Sequence, residues 1–500
     1  MSPSVEETRE VAVVDIGSNS VRLAVYRIEG GAIWTIFNEK VLAGLGRGVA
    51  GSGQLSEEGV ETALRALTRF AGLIGAMKPS ALHVFATAAV RDAEDGPAFV
   101  ERVAAETGLQ VRVLSGEEEA RFSARGVVAG APDTRGVVGD LGGASLELSR
   151  VGSGRIETGV TLPLGPFSLT NGKGVDADRL RKTIARTLAP VARDFAGPGF
   201  HAVGGAWRSL AQLHMATADY PLKIVHQYAM TAEEAREVAG VVGRQSKASL
   251  DKLPGVSRRR AETLPVAALV LEGLIEALGI ETVTFSAWGV REGVLVDGLD
   301  LDPDSDPLLA GAAVLAARQG VSPGLPDALH GFVVGVTDGL PPVFGAKRDA
   351  VLTRAACLYA DIGGRFHPDH RSDLAFDQVL RVPLAGQSHA ERVFLAGVIN
   401  ARHGGGAATP DPRLAQRVLS EAGIHRARVL GLAIRLGSDL SARSPRVLEG
   451  ARLRLGDGSV SLSHATPSVL GGETVSKRLR QLADCLGVEP RLEEGDQRWA

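Results

Sequence analysis

At 500 residues, 44% hydrophobic and 23% charged, the chain can bury a sizeable core in several domains, which excludes a disordered, collagen-like or disulfide-scaffolded protein. A formal net charge of −3 and an aromatic content of 4% provide neither a global basic field nor many rings for stacking bases, so nucleic acid and an anionic membrane surface are excluded as partners. Two distant cysteines, Cys357 and Cys485, and an acidic amino terminus without a signal-peptide pattern point to the cytoplasm.

In chain order, residues 11–14 and 21–28 predict two strands joined by a Gly/Ser/Asn turn, and residues 32–42 a third. Ser56 opens a helix with Val60, Leu64, Leu67, Ala71 and Ile74 on one face. A strand at 82–86 runs into a turn at 87–90. A helix at 98–107 is closed by Gly108, a strand follows at 111–114, and Ser115 starts the next helix. The first hairpin then recurs. Val14-Asp-Ile-Gly-Ser-Asn-Ser-Val-Arg-Leu23 aligns with Gly139-Asp-Leu-Gly-Gly-Ala-Ser-Leu-Glu-Leu148, each a strand, an Asp-x-Gly turn, a serine and a second strand. The repeat predicts two α/β lobes, 1–130 and 131–297, with matching hairpins facing a cleft. The apolar stretch 264–280 carries Glu272 and Glu276 and does not read as a membrane span. An acidic, proline-punctuated linker at 300–307 lacks the Gly and Glu of a calcium loop. It leads to a helix-rich region, 308–440, and a small tail, 445–500, with a hairpin turn at Gly456-Asp-Gly458.

The paired turns make the physical case for phosphate. Gly17, Ser18, Asn19 and Ser20 in one copy, and Gly142, Gly143, Ala144 and Ser145 in the other, let backbone N–H groups and hydroxyls converge on an anion. Asp15 and Asp140 add the carboxylate oxygens that the Mg²⁺ accompanying phosphoanhydrides requires. Glu147 points to the same strand face as Ser145. In the helix from Ser115, Glu118 stands at capping-box spacing and Glu117 is placed to pair with Arg121. Glu119 shares the inward face with Phe122, Gly126 and Val127. Two readings of Glu119 stand: a general base for water, or one more acid favoured by the helix dipole. Arg91 can reach the same cleft, and Gly204-Gly205 would let a phosphate approach the backbone. A basic run holding Arg244, Lys247, Lys252, Arg258, Arg259 and Arg260 could guide a polyanion or be a solvated charge run.

Gly46-Arg-Gly-Val-Ala-Gly51 matches a dinucleotide-binding pattern but lacks the strand-to-helix context, and no Walker A run occurs. Asp361, His367, His370, Asp373, His389 and His403 are spaced as in metal-dependent phosphohydrolases. Ala360, however, stands where the histidine of the His-Asp pair is needed.

Asp15-Ile-Gly-Ser-Asn-Ser20, Ala86-Thr-Ala-Ala-Val-Arg-Asp92, Ser115-Gly-Glu-Glu-Glu-Ala120, Asp140-Leu-Gly-Gly-Ala-Ser-Leu-Glu147 and Ala287-Trp-Gly-Val-Arg-Glu-Gly293 resemble, in order, the motifs of the exopolyphosphatase/guanosine-pentaphosphate phosphatase family. The resemblance implies an α/β fold of two duplicated actin-like (ribonuclease H-like) lobes, followed by a helical HD-like domain and a small α+β C-terminal tail. It further implies a cytoplasmic, homodimeric, Mg²⁺-dependent hydrolase that processively removes terminal phosphates from inorganic polyphosphate. Glu119 would be the catalytic base, Asp15, Asp140 and Glu147 the magnesium-side carboxylates, and Arg22 and Arg91 phosphate-binding residues. Gly204, Gly205, Arg258, Arg259 and Arg260 would line the path of the polymer. Guanosine pentaphosphate, with its tetraphosphate relative, is the alternative substrate class; a nucleotide-binding kinase or switch on the same fold is a second alternative. The second loop departs from the family in carrying Ala144 where a third glycine is usual, and Gly204-Gly205 is followed by Ala206 where threonine is common.

Overall fold

The computed structural model describes residues 8–152, 154–170, 176–245, 247–250, 262–299, 305–406 and 409–494. Arg258, Arg259 and Arg260 and most of the linker lie outside the described residues. The described residues divide into two units, those within 8–299 and those within 305–494.

The first unit is built on two sheets of like topology. Strands β1 (Arg9–Ile16), β2 (Val21–Glu29), β3 (Ala32–Val41), β4 (Ala81–Ala86) and β5 (Arg112–Val113) form a sheet of order β3-β2-β1-β4-β5. Strands β6 (Gly136–Leu141), β7 (Leu146–Gly152), β8 (Arg155–Leu162), β9 (Gly199–Val203), β10 (Tyr228–Thr231) and β11 (Thr282–Phe285) form the second, of order β10-β11-β9-β6-β7-β8. In each, the first strand pairs antiparallel with the second and parallel with the fourth of its lobe.

Both faces of the first sheet are covered, as its alternation requires. Ala12, Val14 and Ile16 of β1 pack under helix α1 (Glu57–Met77) through Leu64, Leu67, Phe70 and Ile74. Val11 and Val13 face the other way, with Tyr26 and Phe85. The N-cap of α1 is Ser56, whose hydroxyl accepts from Gly59 N. The turn expected at 87–90 is instead the start of a short helix, α2 (Ala88–Asp92), which carries Arg91 in its last turn.

Helix α3 (Gly116–Gly130) begins with the capping box foreseen in its sequence. Ser115 Oγ accepts from Glu118 N at 3.2 Å, and Glu118 Oε2 accepts from Ser115 N at 2.9 Å. Arg121 lies over the Phe122 ring, 4.8 Å from its centroid, rather than pairing with Glu117; packing on the ring wins over a solvated ion pair worth little. Ser115→Ala removes the cap and should cost about 1 kcal/mol, read as a lower denaturation midpoint at unchanged slope.

Two further helices frame the cleft: α4 (Gly205–Thr217) follows β9, and α5 (Val290–Asp297) follows the second sheet. Val294 and Leu295 of α5 nevertheless sit in the core of the first sheet, beside Val11, Tyr26 and Phe122. The chain thus returns to its first lobe after completing the second.

The second unit contains helices α6 (His389–Arg402), α7 (Glu421–Ser441) and α8 (Glu473–Leu486), and a sheet of β12 (Ala451–Gly456), β13 (Ser459–His464) and β14 (Glu489–Glu494). β12 and β13 pair antiparallel across Asp457-Gly458. Among the described residues, no group of three His, Cys, Asp or Glu is placed to hold a metal, and no helix is long and apolar enough to cross a membrane. Asp361 accepts from Arg402, and His403 bonds the carbonyl of Ile362.

Candidate active site

The two hairpins repeat each other bond by bond. Gly17 N donates to Ser20 O at 3.0 Å, and Gly142 N donates to Ser145 O at 3.0 Å. Downstream segments cover the turns in the same manner: Gly46 N donates to Ser18 O and Phe167 N to Gly143 O, both at 2.8 Å. A β-carbon on Gly143 would lie 2.9 Å from Ser18 Cβ, so the turns approach each other too closely for any side chain there.

Between them lies a cavity of about 160 Å³ lined by Asp15, Gly17, Ser18, Asn19, Ser20, Arg22, Glu119, Asp140, Gly142, Gly143, Ser145, Gly204 and Gly205. Gly204, at φ 113°, precedes α4, and a β-carbon there would lie 2.5 Å from Leu141 O. Only glycine lets that helix start against the cleft, with its positive dipole end beside the turns. Arg91, Ala144 and Glu147 stand behind the lining; Arg91 reaches it through Glu119.

Glu119 projects from the first turn of α3 and is 7% exposed. Its Oε2 accepts from Arg91 Nη1 at 3.0 Å, and the same guanidinium donates to Asp92 Oδ1 and Leu114 O. Burial pushes the Glu119 carboxyl up to about 7, against the opposing pull of Arg91. Asp140 accepts from Ser123 Oγ at 2.6 Å; burial raises its pKa despite that bond and the charge of Arg291. Glu147, opposite Asp140 in the β6–β7 register, is 2% exposed. Burial and the charge of Glu119 hold its pKa well above the carboxylate range, and its Oε1 has no hydrogen-bond partner.

The cationic side of the cleft was only partly legible in the sequence. Arg22 stands opposite Asp15 in the β1–β2 register, and its pKa falls to about 10 through burial and the nearby charges of Arg291 and Arg208. Arg291 Nη1 donates to Asp15 Oδ2 at 2.8 Å. Burial opposes the Arg291 charge, but Glu292 and Asp15 outweigh it and raise its pKa. Arg208 and Lys40 also line the cavity. Sequence reasoning missed Lys40, Ser123 and the role of Arg291. It could have reached Arg291 through the run 287–293, and Arg208 through its place one helical turn after Gly204.

An orphaned, buried carboxylate oxygen is the group a divalent cation would satisfy. Mg²⁺ commonly takes one or two carboxylates and completes its shell with water and substrate phosphate. Asp140 with Glu147 fits that need, although no closed three-ligand cluster is present among the described residues.

Residues 24–302 match the Ppx/GppA phosphatase family, and residues 334–492 match the exopolyphosphatase C-terminal family. The chain is 30% identical over 318 residues to exopolyphosphatase 1 of Mycobacterium tuberculosis, covering 61% of this chain and 92% of that one. It is 30% identical over 315 residues to exopolyphosphatase 1 of Mycobacterium leprae, covering 60% and 92%. Among solved structures, the Aquifex aeolicus member of the Ppx/GppA family superposes with a TM-score of 0.51 at 27% identity, covering 58% of this chain and 97% of that one. An exopolyphosphatase from Cytophaga hutchinsonii superposes with a TM-score of 0.55 at 21% identity, covering 59% and 100%, a likeness of fold.

Proposed function

The chain belongs to the Ppx/GppA phosphatase family, and from that premise we propose that it is an exopolyphosphatase that cleaves terminal phosphate, one after another, from inorganic polyphosphate. It is a phosphoanhydride hydrolase. The observation that carries the reading is a buried carboxylate, Glu119, set in a cleft between two matched anion-binding turns. In this reading the two lobes are duplicated actin-like units, and the second unit pairs an HD-like helical region with the small α+β tail.

The backbone N–H groups and hydroxyls of Gly17–Ser20 and Gly142–Ser145 hold the terminal phosphoryl group, with Arg22 and Arg291 offsetting its charge. Glu119 takes a proton from the attacking water, and Arg91 holds its carboxylate in place. Asp140 and Glu147, with Asp15 across the cleft, would hold Mg²⁺. When bound, that ion supplies positive charge to the phosphoryl oxygens, as in other phosphoryl transfers.

The reading is tested by phosphate release from long-chain polyphosphate and from guanosine pentaphosphate, with Mg²⁺ and after chelation. Polyphosphate should be the faster substrate and chelation should abolish release; faster release from guanosine pentaphosphate would reassign the substrate. A base is active only when ionised. Because burial raises the Glu119 pKa, release should be low below about pH 7 and rise as pH passes upward through about 7. A flat profile from pH 6 to 8 would remove Glu119 from that role.

A further inference from the structure

Next to the cleft, but outside its lining, lies a buried polar pair that the hydrolytic roles leave unused. Tyr26 on β2 is 2% exposed and Glu292 on α5 is 6% exposed. The Tyr26 hydroxyl donates to Glu292 Oε1 at 2.5 Å, joining residues 266 positions apart. The other oxygen, Oε2, accepts from Gly289 N at 2.9 Å and closes the first turn of α5. Both oxygens of one buried carboxylate are thus engaged, one by the first sheet and one by the segment that leaves the second. Burial and the charge of Glu292 hold the Tyr26 pKa well above its ordinary value, so its hydroxyl remains a donor.

The pair bears directly on Arg291, whose Nη1 donates to Asp15 Oδ2 at 2.8 Å. Burial disfavours the Arg291 charge, and Glu292 is the first of the charges that restore it, ahead of Asp15 and Tyr26. The guanidinium is therefore shared between a carboxylate in the cleft and one outside it. Gly289 carries the same constraint to the second lobe. A β-carbon there would lie 2.6 Å from Val203 Cγ1 and 3.5 Å from Asp140 Oδ2, so its peptide packs on β9 beside Asp140, and Glu292 fixes where its N–H points. Packing alone does not require the polar atoms. The Tyr26 ring sits among Val11, Ile28, Phe85 and Phe122, where phenylalanine would fill the same space. A buried charge contributes little over apolar packing, which leaves geometry as what this one supplies.

Given the phosphate-facing role of Arg291 in the proposed function, we propose that Tyr26 and Glu292 are positioning residues for that hydrolysis, acting through Arg291. Neither lines the cavity. Glu292 gives Arg291 a standing counter-charge, so the guanidinium is not neutralised by Asp15 alone and a phosphate oxygen can compete for its donors. Tyr26 anchors Glu292 to the first sheet, and with it the start of α5.

Tyr26→Phe removes one hydroxyl and keeps the ring in the core. On whichever of polyphosphate and guanosine pentaphosphate the unaltered chain cleaves faster, it should raise KM about 10-fold and keep kcat within about 2-fold, the signature of weakened phosphate binding. In an Arg291→Gln background the same substitution should change KM by less than about 2-fold, because the group it acts through is gone. Ile28→Val, on the same strand and in the same core, should lower the melting temperature and leave KM unchanged. An unchanged KM in Tyr26→Phe, or a rise that persists at full size without Arg291, would overturn the proposal. If circular dichroism shows Arg291→Gln unfolded, Glu292→Gln takes its place: it should raise KM itself, and adding Tyr26→Phe should then change KM by less than about 2-fold, full additivity being the overturning result. An unaltered chain that releases phosphate from neither substrate would overturn the proposed function instead. The affinity of the full chain and the same variants for methylenediphosphonate, measured by calorimetry, then decides between the same two outcomes.

Discussion

Glu119→Gln should lower phosphate release from polyphosphate by at least ~10²-fold, the usual loss when a general base is removed. The substitution keeps the size of a side chain packed in the first turn of α3 and removes its charge and its ability to take a proton. A residual rate should survive, because the turns and the cleft arginines still position and neutralise the phosphoryl group. Two opposing terms set the change in stability. Burial raises the Glu119 pKa, so the carboxyl contributes most to the folded state when protonated, and that contribution fades as pH rises through about 7. The glutamine variant lacks that fading term but also lacks the negative charge that pairs with Arg91, keeping only an amide oxygen to accept from it. Malachite-green phosphate release and a thermal melt, both at pH 6 and 8, separate the two effects. Unreduced release at pH 8 would remove Glu119 from the mechanism.

Gly293→Ala should be the most damaging single methyl group in the first unit. A β-carbon there would lie 1.7 Å from Phe122 O, a backbone atom that cannot rotate away. Gly126 makes the reciprocal approach, its β-carbon falling 2.0 Å from Gly289 O. Helices α3 and α5 therefore cross backbone against backbone, and any side chain at either position must separate them. Overpacking of this kind costs about 1–3 kcal/mol or more. The consequence extends to activity, since α3 carries Glu119 and Ser123 while α5 carries Arg291. A misplacement of about 1 Å can cost on the order of 10²-fold in rate. The expected result is a lower melting temperature together with a loss of phosphate release beyond what unfolding explains. Gly72→Ala on α1, where a β-carbon meets nothing within 4 Å, is the control and should be neutral or slightly stabilising. A Gly293→Ala protein matching the parent in both measurements would show that the helices are free to move apart.

The local chemistry of the cleft could be read from sequence because it is written in short contiguous runs. The Asp-x-Gly turns, the capping box at Ser115 and the inward face of α3 each depend on spacing within about ten residues, and each is present. The cationic half was harder to see. Arg291 meets Asp15 only because the chain returns to its first sheet after 270 and more residues, and no local pattern records that return. Lys40 and Arg208 enter the cavity by the same long-range folding. Arg121 shows the opposite error, since helical spacing offered it an ion pair with Glu117 and an adjacent ring took it instead.

Within the repeat, the strands of the paired hairpins differ in charge at one register position. Opposite Asp15 stands Arg22, and opposite Asp140 stands Glu147. Two copies of one hairpin have thus diverged into an end that attracts anions and an end that attracts cations. A palindromic cleft would accept a phosphate chain equally well in either sense. This one has a front and a back, and a polymer whose own two ends are chemically identical acquires, on entering it, a direction.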